Sequence, residues 1–275
     1  MRERVFAEVA LEREWERRRS RTRMTTTFNK EKHEYLIDGK RATGVTTIIG
    51  VLAKPQLISW ASRMACEHIR ENADKHFLPV PGGEQPSFSY YEVSEELLGN
   101  AQKAHTRKKE VAGEKGTDMH SLVEGYVRLM IADQGGKPFL MNNPQTAIEP
   151  FIKWAVENVK EFLFSERQMF NKDLFIAGTA DFSYIGKDEK KYMADFKTSS
   201  GIYGIDYWLQ VAAYRMLAEA EGDQPYEGAT IVRMGKDGSF DVQHLYEYET
   251  YKEAFLSCLT LYRAQAAIKG LIVNN

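Results

Sequence analysis

Cysteine is scarce in this chain, with only Cys66 and Cys258 in 275 residues. One pair cannot build the disulfide framework of a small secreted protein, so both read as free, buried thiols. Long apolar runs are missing as well. None approaches the roughly 18 residues that a membrane span needs, and the N-terminus is rich in arginine and glutamate instead of being signal-like. The chain therefore reads as cytoplasmic, without a membrane partner. Neither sign of charge is in excess: 37 Lys and Arg against 39 Asp and Glu give a formal charge of −2 and a pI near 6.3. A global attraction to polyanions is thereby excluded, and any such affinity must come from local basic clusters or from a cation held at an acidic site. There is no G-x-x-x-x-G-K-[ST] phosphate loop, hence no recognisable ATPase.

The composition that remains, 43% hydrophobic and 28% charged, is that of a globular protein able to bury a substantial core. Residues 1–27 read as a loose arm, and Met24-Thr25-Thr26-Thr27 within it reads as a natural start. Residues 28–275 read as a single domain, with a hairpin and helical cap over 28–140 and an α/β core over 141–275. The hairpin is expected from His33 to Ile49 around Asp38-Gly39-Lys40. Helices follow over 56–74 and 94–133, separated by a loop with Pro79, Pro81 and Pro86. Next come a helix over 145–161, strands over 162–171, 174–185 and 190–197, a helix over 205–221, strands over 227–234 and 240–247, and a last helix over 250–268.

The chemistry concentrates around Asp195-Phe196-Lys197. Gly186-Lys187-Asp188-Glu189-Lys190 is a polar turn between two apolar runs. A turn centred on Asp188 sets Asp181 opposite Asp195, and strand alternation puts Asp195 and Lys197 on one face with Phe196 on the other. Facing carboxylates destabilise a sheet unless a cation lies between them. A divalent metal on hard oxygen ligands is the simplest such cation, and it suits phosphodiester hydrolysis. Taken alone, D-x-K far more often marks an exposed hairpin face that happens to carry acids and a lysine.

Three further pieces accompany it in order: Gly116-Thr117-Asp118-Met119-His120 upstream, Gly178-Thr179-Ala180-Asp181, and Gln210 with Tyr214 after Asp195-Phe196-Lys197-Thr198-Ser199. Together they resemble the PD-(D/E)XK nuclease superfamily, in its RecB-like exonuclease branch and the phage-type members of that branch. The resemblance runs from about Thr43 to Tyr214. It implies a restriction-endonuclease-like α/β core, a central mixed sheet flanked by helices, with an N-terminal helical cap. It also implies a Mg²⁺- or Mn²⁺-dependent DNA exonuclease working on single-stranded or duplex ends in recombination, repair or DNA processing, beside a helicase or recombinase, in the host cytoplasm if phage-encoded. An iron–sulfur cluster, which some members hold with four cysteines, cannot be built from two.

On this resemblance Asp181 and Asp195 hold one or two ions, the Phe196 carbonyl adds a ligand, and His120 supplies an imidazole that favours Mn²⁺. Lys197 orients or deprotonates the attacking water, with a pKa lowered by nearby metal and partial burial. Glu124, one turn from His120, and Glu166, in the first core strand, support the site. Gln210 and Tyr214 share a helix face and contact DNA or brace the site. Arg107, Lys108, Lys109 and Lys115, with Thr117, Thr198 and Ser199, are the candidate DNA contacts. A solvated helix face is the other reading of the basic run. Two alternatives stand beside the exonuclease: a structure-specific endonuclease on the same fold, and a non-catalytic DNA-binding subunit.

Overall fold

The computed structural model describes residues 24–79, 86–141, 146–199, 201–235 and 237–273. The chain divides into two compact units, Ala53–Asp118 and the remainder, Met1–Leu52 with Met119–Asn275.

The larger unit is mixed α/β. Its small sheet pairs β1 (Thr26–Asn29), β2 (Glu34–Ile37) and β3 (Lys40–Arg41) in that order, all antiparallel. β1 thus begins inside the segment that the sequence assigned to a loose arm; Met24 and Phe28 pack against the cluster of Tyr35, Ile37 and Phe170, and the Met24 carbonyl accepts from Lys172 Nζ at 2.7 Å. The central sheet runs β11 (Phe240–Leu245), β10 (Gly228–Met234), β9 (Lys191–Lys197), β8 (Ile176–Gly186), β4 (Thr43–Gly44), with β7 (Val159–Asn171) also on β8. β9 with β10 and β4 with β8 are parallel and the remaining pairs antiparallel, so the sheet is mixed.

Both faces of this sheet are covered, which is why β10 is buried along its whole length. One face packs Phe162, Phe182, Tyr184 and Phe196 against α5 (Glu149–Asn158) and the part of α4 (Ala104–Gln134) from Val123 to Met130. Phe151 of α5 lies at the centre of these rings, with Phe182 at 5.8 Å and Phe196 at 6.4 Å in edge-on geometry. The opposite face packs Met169 and Met193 against α6 (Ile205–Ala220), α7 (Glu249–Val273) and the short helix α1 (Val45–Ile49).

α1 corrects the expectation that the first hairpin extends to Ile49. Gly44 is extended at its N-cap, and Val45, Ile48 and Ile49 are buried on one helical face. The β-branched residues favour strand, but burying three of them at helical spacing decides the conformation.

The smaller unit comprises α2 (Pro55–Asn72), the antiparallel hairpin β5 (Asp74–Pro79) and β6 (Pro86–Glu92), α3 (Glu95–Gln102) and the start of α4. Prolines at the strand termini read as a loop, yet an end position is where a strand tolerates proline. One expected helix over 94–133 is two, parted at Lys103, and α3 is capped by Ser94, whose Oγ accepts from Leu97 N at 3.2 Å. Cys258 is buried, but Cys66 is exposed: Met64 takes the inward face of α2, and two residues on the helix has turned outward.

Gly178 shows how tightly β8 is held against α6. A Cβ there would stand 2.7 Å from Cε1 of Tyr214 and 3.1 Å from Cγ2 of Val45. Both neighbours are buried, so Gly178→Ala is expected to cost about 1–3 kcal/mol by overpacking and to lower Tm by several degrees in calorimetry. An unchanged Tm would show that the ring has room to yield.

Candidate functional site

β8 has β7 along one whole edge, while its other edge is shared. β9 pairs with Phe182 to Ile185 and β4 with Ile176 and Ala177. Between them, at 178–181, the edge is open. The register Phe182 with Ala194, carried one step on, sets Asp181 against Asp195. Across the other edge, Ser165 with Phe182 and Arg167 with Ala180 bracket Glu166 against Asp181. Glu166, Asp181 and Asp195 therefore form one rank over three adjacent strands, and the middle acid lies where the sheet opens. Glu166 sits at φ 50°, a left-handed conformation that costs a non-glycine residue about 1–3 kcal/mol.

Asp181 turns into the opening: its Oδ2 accepts from Phe196 N at 2.7 Å and lies 3.9 Å from His120 Nδ1. In an extended strand the N–H and C=O of one residue point to the same side, so the Phe196 carbonyl faces this opening too. The His120 ring stands edge-on to Phe196 at 4.9 Å. With Glu124, Glu166, Asp181 and Ser165 it lines a small cavity of about 10 Å³, room for a single water or ion. Glu124 lies one turn below His120 and is tied to Arg128 at 2.7 Å.

Asp195 is 1% exposed, and its Oδ2 has the Lys197 ammonium 2.6 Å away. That contact is close but off the hydrogen-bonding directions, and Oδ2 is left without a hydrogen-bond partner. Lys197 donates instead to Gln210 Oε1 at 3.0 Å, and Gln210 Nε2 donates to Tyr214 Oη at 2.9 Å. Gln210 and Tyr214 thus form a brace behind Lys197, with the Tyr207 ring 5.1 Å from its Nζ. Tyr214 is 4% exposed, too enclosed to meet a macromolecule.

Burial, then the Asp195 charge, holds the Asp181 carboxyl well above the ordinary range against the opposing pull of Lys197. Burial, with Glu124 next, pushes Glu166 up to about 7. Burial lowers His120, keeping the imidazole neutral and able to ligate. Burial alone would lower Lys197 as well, but Asp195 and Asp181 outweigh it and raise the ammonium above its ordinary value. This differs from the lowered Lys197 expected of a metal-loaded site: without the cation, the carboxylates set the sign.

Raised carboxyl pKa values make stability fall as pH rises. The contribution of Glu166 is present in full below about 4.5 and lost as pH passes about 7. In chelator, Tm is expected to drop across this window, and Glu166→Gln to give a shallower drop and a higher Tm at neutral pH. Calorimetry at a series of pH values checks this; parallel curves would remove Glu166 from the cluster.

Among the described residues no group of three His, Cys, Asp or Glu is arranged to hold a metal ion. The rank as it stands is an acid pair closed by Lys197, with His120 and Glu166 at its margin.

The basic run lies in the smaller unit. Arg107, Lys108 and Lys109 are exposed, and Arg107 Nη2 donates to the Asn100 carbonyl at 2.7 Å. Arg107 and Lys108 line a groove of about 340 Å³ that also carries Glu67 and Glu71, which dilutes its positive charge. The side chains of Lys115 and Thr117 lie outside the described residues. Thr198 and Ser199 are half-buried after β9, and the Ser199 hydroxyl is committed to the Gly201 carbonyl at 2.8 Å. Sequence reasoning missed Tyr35, whose hydroxyl meets Thr179 Oγ1 at 2.8 Å beside the opening, and Ser165, whose buried Oγ has no partner.

No family model matches this chain. No curated protein matches it either. One similar solved structure, described as the crystal structure of SSO0001, is 17% identical with a TM-score of 0.29, over 44% of this chain and 55% of that one. The chain thus spans about half the length of that structure, and a likeness at this level carries no argument about fold or function.

Proposed function

We propose that this protein is a metal-dependent DNA exonuclease with a PD-(D/E)XK core of the RecB-like, phage type. The observation that carries the reading is the rank Glu166, Asp181 and Asp195 at the open edge of β8, with Lys197 on the face of Asp195 and His120 facing Asp181. Helix, three antiparallel strands, helix and a parallel strand follow one another from α5 to β10, which agrees with that core.

The donors suit a divalent ion. Asp195 is buried with only the Lys197 ammonium against its Oδ2, the Asp181 carboxylate is costly to ionise without a cation, and the cavity that Asp181 lines with His120 and Glu166 has room for one ion. Asp181, Asp195 and the Phe196 carbonyl would hold Mg²⁺ or Mn²⁺, with His120 adding a nitrogen ligand that favours Mn²⁺. When bound, the ion supplies positive charge to the developing phosphorane and acidifies water. Lys197, whose ammonium lies beside Asp195, would orient the attacking water and set its charge against the phosphate oxygens. Gln210, anchored by Tyr214, fixes the ammonium while this happens. DNA is the partner this chemistry serves, beside a separate helicase or recombinase, in the cytoplasm.

End-labelled linear duplex, single-stranded and covalently closed circular DNA, each with Mg²⁺, Mn²⁺ or chelator, test the reading. The expected result is metal-dependent shortening of linear substrates from their ends while closed circles survive. Nicked circles would move the assignment to an endonuclease. Binding without cleavage would make the protein a DNA-binding subunit, and cleavage in chelator would overturn the metal site.

A further inference from the structure

β9 ends at Lys197, and the chain that follows it carries an aromatic ring the fold leaves outside. This connection is pinned at two points. The Ser199 hydroxyl donates to the Gly201 carbonyl at 2.8 Å, and Ile202, with Tyr207 and Trp208, packs against Val211, Ala229 and Ile231. Tyr203, next after Ile202, is nevertheless 69% exposed, and Ile205, at the start of α6, is 53% exposed. The hydroxyl end of the Tyr203 ring rests on Gly201, where a Cβ would stand 2.4 Å from Cζ and 2.8 Å from Oη. Glycine at 201 therefore admits the ring, and the remainder of the ring meets solvent. The acid beside it, Asp206, is turned back onto Gly204, where a Cβ would lie 2.1 Å from Oδ1. Four residues after Tyr203, the Tyr207 ring lies 5.1 Å from Lys197 Nζ. An open aromatic surface thus stands within about a helical turn of a residue in contact with the candidate catalytic ammonium.

Resting on the nuclease reading, we infer that Tyr203 stacks on an unpaired base of the strand whose phosphate lies at Lys197, which makes single-stranded DNA the preferred substrate. An aromatic ring accepts the face of any base, so the contact tolerates every sequence. In a duplex the base faces are covered by their neighbours, and only a single strand or a frayed end can offer one. Ile205 extends the apolar surface on which that base rests. Stacking neutralises no phosphate, so it adds affinity without adding salt dependence.

The test compares Tyr203→Ala and Tyr203→Phe with their parent, all carrying Asp195→Asn to prevent cleavage, by binding of a single-stranded oligonucleotide and of a blunt duplex over a salt series. Tyr203→Ala is expected to bind the single strand about fivefold or more weakly, the scale of one lost base stack. The log–log salt slope should stay that of the parent, Tyr203→Phe should keep the parent's affinity, and duplex binding should not change. Equal single-strand affinity in Tyr203→Ala and the parent would overturn the inference. So would an equal loss on the duplex, or a loss that Tyr203→Phe shares, since neither comes from a ring stacked on an unpaired base. Should Tyr203→Ala lose its cooperative melt, Tyr203→Leu carries the comparison, with apolar bulk kept, the ring removed and the same outcomes expected. The nuclease reading is judged separately by cleavage with the wild type. A wild type that cuts DNA, beside a Tyr203→Ala variant that binds like its parent, overturns the stacking contact alone; a wild type that neither binds nor cuts DNA overturns both.

Discussion

Asp195→Asn is expected to reduce metal-dependent cleavage by about 10²–10³-fold or more, the scale of losing a charge aimed at the transition state, while Tm in chelator stays level or rises. The two halves come from one geometry. Asp195 is 1% exposed beside Asp181, so its charge is costly in the metal-free protein and required in the loaded one. The amide keeps the shape and removes the repulsion; Lys197 still has Gln210 Oε1 at 3.0 Å and the Tyr207 ring at 5.1 Å to hold it. Wild-type activity would sink the site, and a large fall in Tm would show that the Asp195–Lys197 pair is structural.

Lys197→Ala is expected to separate binding from turnover. Removing a charge aimed at the transition state costs about 10²–10³-fold, and here the loss should fall on kcat, because Asp181, Asp195 and the Phe196 carbonyl remain. Metal affinity should hold or increase, since the ammonium 2.6 Å from Asp195 Oδ2 occupies part of the space a cation would claim. Kinetics paired with a Mn²⁺ titration read both. A variant that lost metal binding with its activity would make Lys197 a structural neighbour of the acids.

Much of this arrangement was legible because it is local. The polar turn at Asp188 and the alternation of β8 and β9 set the register that brings Asp181 opposite Asp195, and the four-residue spacing of Gln210 and Tyr214 put them on one face of α6. What escaped depends on distant partners. β4 lies along β8 although more than 130 residues separate them, and nothing in Thr43-Gly44 announces that pairing or the opening it leaves at Asp181. Val45 to Ile49 reads as strand until its burial against α6 and α7 is known. Glu166 was visible as an acid in a strand, but not its left-handed backbone or its pKa of about 7, which follow from neighbours on other elements. Arg233 sits in an apolar run; only the order of β9 and β10 places it beside Lys197.

The central claim is that the acid rank holds a divalent ion, and calorimetric titration of Mn²⁺ into the DNA-free protein near pH 6, in two buffers of different ionisation enthalpy, tests it most directly. The account predicts one or two bound ions in the wild type, with protons released because burial raises the Asp181 carboxyl above its ordinary range and Glu166 to about 7, and loss of binding in Asp181→Asn with Asp195→Asn. Mn²⁺ binding of the same stoichiometry and affinity in that double variant, or no binding by the wild type, would contradict it.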